Sequence, residues 1–153
     1  MSEEQKLSSA QMNGMRGVYL VAAELPRRGL ITSPTSRSAR GADILVTTTN
    51  LSKAFSVEVK TTTSNKFWQL SPHAKTTKAD SHTYVFVHIR KRKDKEEVIT
   101  YYPVSSKFVA ENSRLPNPDR TEQYRKGYSM DLREVEMFKN NWSIFGVPGE
   151  AAA

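Results

Sequence analysis

The 153-residue chain carries 23 Lys and Arg against 16 Asp and Glu, for a formal charge of +7 and an isoelectric point near 9.7. Such a balance favours a polyanionic partner such as nucleic acid, through attraction to phosphates and counterion release. It contains no cysteine, which excludes disulfides, thiolate metal sites and cysteine nucleophiles. At 37% hydrophobic and 25% charged the chain is ordinary globular material, long enough for one domain with its own core, and no apolar run approaches membrane-spanning length.

Residues 1–12 form a polar lead-in, expected to be disordered, without the apolar core of a secretion signal, so a soluble cytoplasmic protein is the default expectation. The domain is expected over 13–148 and a flexible tail over 149–153. From Met15 onward, Val18, Tyr19, Val21, Ala22 and Leu25 recur at helical spacing. Gly29 suits the C-terminal stop, and Pro26 should end or kink the helix near Leu25. Glu24 on this helix has an ion pair with Arg28 as its plain reading, at i,i+4 spacing. A short strand then opens at Leu30, followed by a Ser/Thr-rich connection in which Arg37 and Arg40 are either phosphate contacts or members of a solvated loop.

The most informative stretch is Gly41–Thr62. Two β-rich runs, Gly41–Val46 and Phe55–Thr62, flank a turn containing Asn50, Ser52 and Lys53 and read as a hairpin. Side chains alternate along a strand, so Val57 and Val59 share one face while Glu58 and Lys60 share the other. Asp43 lies opposite Ala42, Ile44 and Val46, and strand pairing can bring it beside Glu58. Two carboxylates at one point suit a hard divalent ion, most naturally Mg²⁺, which keeps several waters and accepts phosphate oxygens. With Lys60 beside a metal-bound water, the chemistry is phosphodiester hydrolysis. The competing reading is an ion pair on the sheet surface.

Lys66, Trp68 and Gln69 follow as candidate nucleic-acid contacts: Trp68 either stacks on a base or belongs to the core, and Gln69 either supports the site or meets substrate. Ser71-Pro72 is a helix start for a short helix near residue 75. Thr83–Ile89 is a nearly continuous apolar β-rich run and predicts a buried strand. Residues 90–97 read as a charged hairpin tip and Val98–Val104 as a further strand, after which Ser105 or Ser106 caps a short helix. Residues 112–119 read as a loop. Asp131 and Glu134 form a capping box ahead of a helix presenting Val135, Phe138 and Trp142, with Trp142 and Phe145 as packing residues. His73, His82 and His88 lie in different settings, with none of the spacings that hold zinc.

On Glu24, Asp43, Glu58 and Lys60 the chain resembles the PD-(D/E)XK nuclease superfamily, and is similar to its archaeal Holliday-junction-resolvase-like members. Gly41-Ala42-Asp43 stands where the Pro-Asp motif would be, with Ala42 replacing proline, and Glu58-Val59-Lys60 matches (D/E)-X-K. The resemblance implies an α/β restriction-endonuclease-like domain: an αβββαβ core in which helices flank a central mixed sheet, with a C-terminal strand and helix added. It also implies that Asp43, Glu58 and the Val59 carbonyl hold Mg²⁺, for which Mn²⁺ can substitute, that Glu24 joins the metal site, and that Lys60 is the catalytic lysine. A DNA-cleaving endonuclease able to act as a homodimer is the implied function. The alternative, from another class, is a nucleic-acid-binding or interaction module that keeps the fold without efficient catalysis.

Overall fold

The computed structural model of the chain describes residues 3–36, 41–64, 66–115 and 127–148. Helix α1 spans Glu3–Arg27 and so begins well before the apolar periodicity does. Glu3, Glu4, Gln5 and Lys6 are good helix formers and extend a helix already anchored downstream, where the sequence reading expected a disordered lead-in. Pro26 lies inside α1, one residue from its end, so its missing N–H removes a single intrahelical bond. The chain leaves through turn bonds from the Arg28 and Gly29 amides to the Leu25 and Pro26 carbonyls, 3.1 and 2.9 Å. Gly29 takes the left-handed φ of +83° that the exit requires. The expected tail over 149–153 lies outside the described residues.

Strands β1 (Leu30–Pro34), β2 (Ile44–Thr48) and β3 (Ala54–Thr62) form an antiparallel meander. β4 (Phe67–Leu70) then leaves the sheet, and the chain returns as β5 (His82–Lys91), parallel to β3, and β6 (Glu97–Ser105), antiparallel to β5. The central sheet therefore has the order β1-β2-β3-β5-β6. After α2 (Ser106–Asn112), which Ser105 caps through the Phe108 amide at 3.2 Å, β7 (Tyr128–Asp131) pairs with β4 as a separate two-stranded antiparallel sheet. The expected helix near residue 75 is one 3₁₀ turn, Pro72–Lys75, and the Ser71 side chain makes no cap bond. Ala74 is its only buried residue, so no apolar stripe exists to lengthen it.

The sheet separates two cores. On one face Val21 and Leu25 of α1 pack with Ile44, Val57, Val85 and Trp142. On the other, Trp68, Tyr84, Phe86, Val104, Met130 and Val135 form the second cluster. Each such side chain contributes roughly 1.5–3 kcal/mol on burial. Gly17 lets α1 lie directly on β3: a Cβ there would stand 1.8 Å from Thr61 Oγ1.

The capping box at the C-terminal end is present. Asp131 Oδ1 accepts from the Arg133 amide at 2.9 Å and Glu134 Oε2 from the Asp131 amide at 3.1 Å. The helix it starts, α3 (Leu132–Val135), is shorter than the apolar spacing predicted. It passes into 3₁₀ turns at Glu136–Phe138 and Trp142–Phe145, separated by Asn140 at φ +56°. Trp142 and Phe145 are fully buried, as packing residues should be. Loss of the cap in Asp131→Ala is expected to cost about 1 kcal/mol. The Arg133 amide holds the Asp131 carboxyl below the usual range, so its stabilisation is present above that range and fades as pH falls through the lowered folded-state value. Thermal melts across the acid range check both points: the deficit of the variant should shrink as the solution is acidified.

Candidate active site

Register brings the two carboxylates together. In the β2–β3 ladder Ile44 pairs with Val57, and just ahead of β2 the Asp43 amide donates to the Val57 carbonyl at 2.8 Å, which holds Asp43 beside the Val57–Val59 stretch of β3. Asp43 Oδ2 accepts from the Val59 amide at 2.7 Å. Lys60 Nζ lies 2.9 Å from Glu58 Oε1. The predicted face is therefore the observed one, with Val57 and Val59 buried beneath it. Asp43, Glu58 and Lys60 line a cavity of about 500 Å³ whose helical wall includes Gln11, Gly14, Met15 and Val18 of α1.

The electrostatics of the two acids differ. Burial pushes the Asp43 carboxyl up, the Glu58 charge adds to the rise, and the Val59 N–H and Lys60 only partly oppose it. Burial also acts to raise Glu58, but the His82 imidazole and Lys60 outweigh it and hold Glu58 down at about 2. One acid is thus supplied with positive charge while its neighbour is short of it. A divalent ion would meet that shortage, and two carboxylates on one cavity form a donor set that fits Mg²⁺ or Mn²⁺. Magnesium needs few protein ligands because it retains water. Among the described residues no group of three or more His, Cys, Asp or Glu side chains gathers there.

Glu24 does not join them. It lies about 9 Å further along the α1 axis than Val18, at 1.5 Å per residue, and its charge acts on Tyr101 of β6, two strands across the sheet from β3. There it pairs with Arg27 at 3.3 Å and Arg28 at 3.5 Å, and the Arg28 guanidinium covers the Trp142 ring at 4.6 Å. The structure places Glu24 in the expected ion pair with Arg28 and not among the residues lining the cavity of Asp43 and Glu58.

Trp68 cannot reach a base either. It is 1% exposed, donates from Nε1 to the Val87 carbonyl at 3.0 Å and packs on Phe86 with ring centroids 5.0 Å apart. The cause is the β4–β7 pairing, which turns Trp68 and Leu70 inward and leaves Gln69 facing solvent. Lys66 and Gln69 are exposed but are not among the residues lining the carboxylate cavity. Arg37 and Arg40 lie outside the described residues.

Three residues at the site escaped the sequence reading: Ser56, His82 and Tyr84. Parallel pairing of β3 with β5 sets Ser56 opposite His82 and Glu58 opposite Tyr84. The buried Tyr84 hydroxyl is raised by burial and further by Glu58. The signal available was the buried run Thr83–Ile89, which follows His82 directly, but only its register against β3 assigns these partners.

The antiparallel hairpin carrying both acids, α1 across one face and β5 parallel to β3 together form a central mixed sheet flanked by helices. This is the arrangement of sheet and helices that the resemblance to restriction-endonuclease-like domains implies. Among solved structures, the Holliday junction resolvase Hjc of the archaeal hyperthermophile Archaeoglobus fulgidus is similar at 15% identity and a TM-score of 0.48, over 81% of this chain and 88% of that one. No family model matches the chain, and no curated protein matches it.

Proposed function

We propose that this chain is a metal-dependent endonuclease that hydrolyses phosphodiester bonds, with DNA as the first substrate to test. The observation that carries the reading is that Asp43, Glu58 and Lys60 line one cavity, with Lys60 Nζ 2.9 Å from Glu58 Oε1. Asp43 and Glu58 would hold Mg²⁺, with the Val59 carbonyl, and the bound ion would supply Lewis-acid charge and a water of lowered pKa. Lys60, beside Glu58, would orient the attacking water and share its proton. Water oxygen bonds to phosphorus as one phosphoester oxygen leaves, giving a phosphate monoester and a free hydroxyl. The +7 formal charge supports a phosphate-rich substrate, and no described helix is long and apolar enough to cross a membrane. Two copies would present one site to each strand of a duplex, which sedimentation with and without DNA would test.

A second reading, a nucleic-acid-binding module with weak or no catalysis, is favoured by one observation: Glu24 is engaged elsewhere, and the α1 wall supplies no third carboxylate among its described lining residues. Linear duplex, branched and single-stranded DNA, together with RNA, should be incubated with Mg²⁺, Mn²⁺ or chelator. Cleavage that depends on the ion and stops with chelator is expected. Binding of these substrates with every one left intact would overturn the nuclease reading in favour of the module.

A further inference from the structure

We propose that Ser56 and His82 act as positioning residues for the Glu58 carboxylate, a proposal that rests on the metal-dependent reading above. His82 is 6% exposed at the first position of β5. Its ring is fixed on two sides: Ser56 Oγ lies 2.6 Å from Nδ1, and the Tyr84 ring meets it edge-on at 5.3 Å. The backbone is tied as well, since the His82 amide donates to the Ala79 carbonyl at 3.0 Å and the Ser56 amide to the Ser81 carbonyl at 2.8 Å. This fixed ring directs Nε2 at Glu58 Oε2 from 3.7 Å, while Lys60 holds the other oxygen, Oε1, at 2.9 Å.

An ionised carboxylate only accepts, so Nε2 faces Glu58 with a proton, and Ser56 at the other ring nitrogen, Nδ1, fixes how the imidazole is turned. At 3.7 Å the Nε2 contact is longer than a hydrogen bond, so the ring acts through its field and as a wall. That wall matters because a second cavity, about 420 Å³, lies beside Glu58 and is lined by Ser56, Ser71, His73, Thr77 and His82. Without the imidazole, Glu58 could turn into this space and away from Asp43. Lys60 alone is a poor restraint, because orienting a water would draw its amine off Oε1. An outer partner of this kind sets ligand orientation, and its removal costs roughly 10- to 100-fold in metal affinity or activity.

The test is Mn²⁺ affinity, measured by calorimetry on the whole chain without nucleic acid, with thermal melts as the folding control. His82→Ala should bind Mn²⁺ about 10- to 100-fold more weakly, whereas His82→Gln, whose amide can donate to Glu58 and accept from Ser56, should recover most of the loss. Ser56→Ala should weaken binding by a smaller factor in the same direction. A folded His82→Ala with parental affinity overturns the proposal, as does an equal loss in His82→Gln and His82→Ala. If His82→Ala fails to fold, parental affinity in Ser56→Ala overturns it. A parent that binds no Mn²⁺ instead overturns the metal reading, and this proposal with it.

Discussion

Asp43→Asn and Glu58→Gln are both expected to abolish cleavage, yet to move the metal-free melting temperature in opposite directions. A bound divalent ion contributes several kcal/mol of charge stabilisation to the transition state, so losing either ligand should lower the single-turnover rate by roughly 10³-fold or more, at about 1.4 kcal/mol per factor of ten. The stability signs differ because the two carboxyls are perturbed oppositely. Burial, with the Glu58 charge, raises Asp43, so its ionised form costs folding free energy at neutral pH. Asparagine keeps an oxygen for the Val59 amide while removing that charge, and the melting temperature should rise. Glu58 is held at about 2, below its ordinary 4.5, by His82 and Lys60 against the opposing effect of burial. Its stabilisation is therefore complete above the ordinary glutamate range and is lost as pH falls toward about 2. Glutamine removes it at neutral pH, and the melting temperature should fall. Two variants that cut at the parental rate with Mg²⁺ and Mn²⁺ would refute the ligand assignment. Shifts of the same sign would refute the electrostatic account alone.

What the sequence disclosed about this site was what local periodicity controls. Alternation along Phe55–Thr62 was enough to put Glu58 and Lys60 on one face, and the short turn to β2 was enough to bring Asp43 beside that strand, because an antiparallel hairpin ties its register to the turn. Features that depend on distant pairing were not legible. The β3–β5 ladder joins Ser56 to His82 across a crossover containing β4, and no spacing within either strand specifies that parallel register. Trp68 shows the same limit in the opposite direction: its residue type fits a stacking surface, but β7 pairs with β4 far along the chain and turns the ring inward. Glu24 shows a third case. Helical spacing correctly found Arg28 as its partner, whereas its position relative to the hairpin depended on how α1 lies across the sheet, where Gly17 fits against Thr61.

Lys60→Ala should separate chemistry from binding. The amine pairs with Glu58 at 2.9 Å and lines the cavity that also holds Asp43, a place that allows two roles. As a plain cation it would reduce repulsion between the two acids and attract phosphate. As the group that orients the attacking water, it would act chiefly on the bound complex. In that role its removal should lower the single-turnover rate by roughly 10²-fold or more, the range for a positioned proton-transfer group. Nucleic-acid affinity should change far less, because phosphate attraction is shared over many basic side chains and one lysine is a single contribution. Both quantities should be measured at saturating metal and fixed salt, with Ca²⁺ replacing Mg²⁺ for binding so that cleavage is stalled. Lys60→Arg adds a control: it restores the charge, but a planar guanidinium does not present its donors as an ammonium does, so it should recover affinity more fully than rate. If Lys60→Ala loses affinity and overall cleavage in parallel while its bound complex reacts at the parental rate, Lys60 is a phosphate contact and the attacking water is oriented by another group.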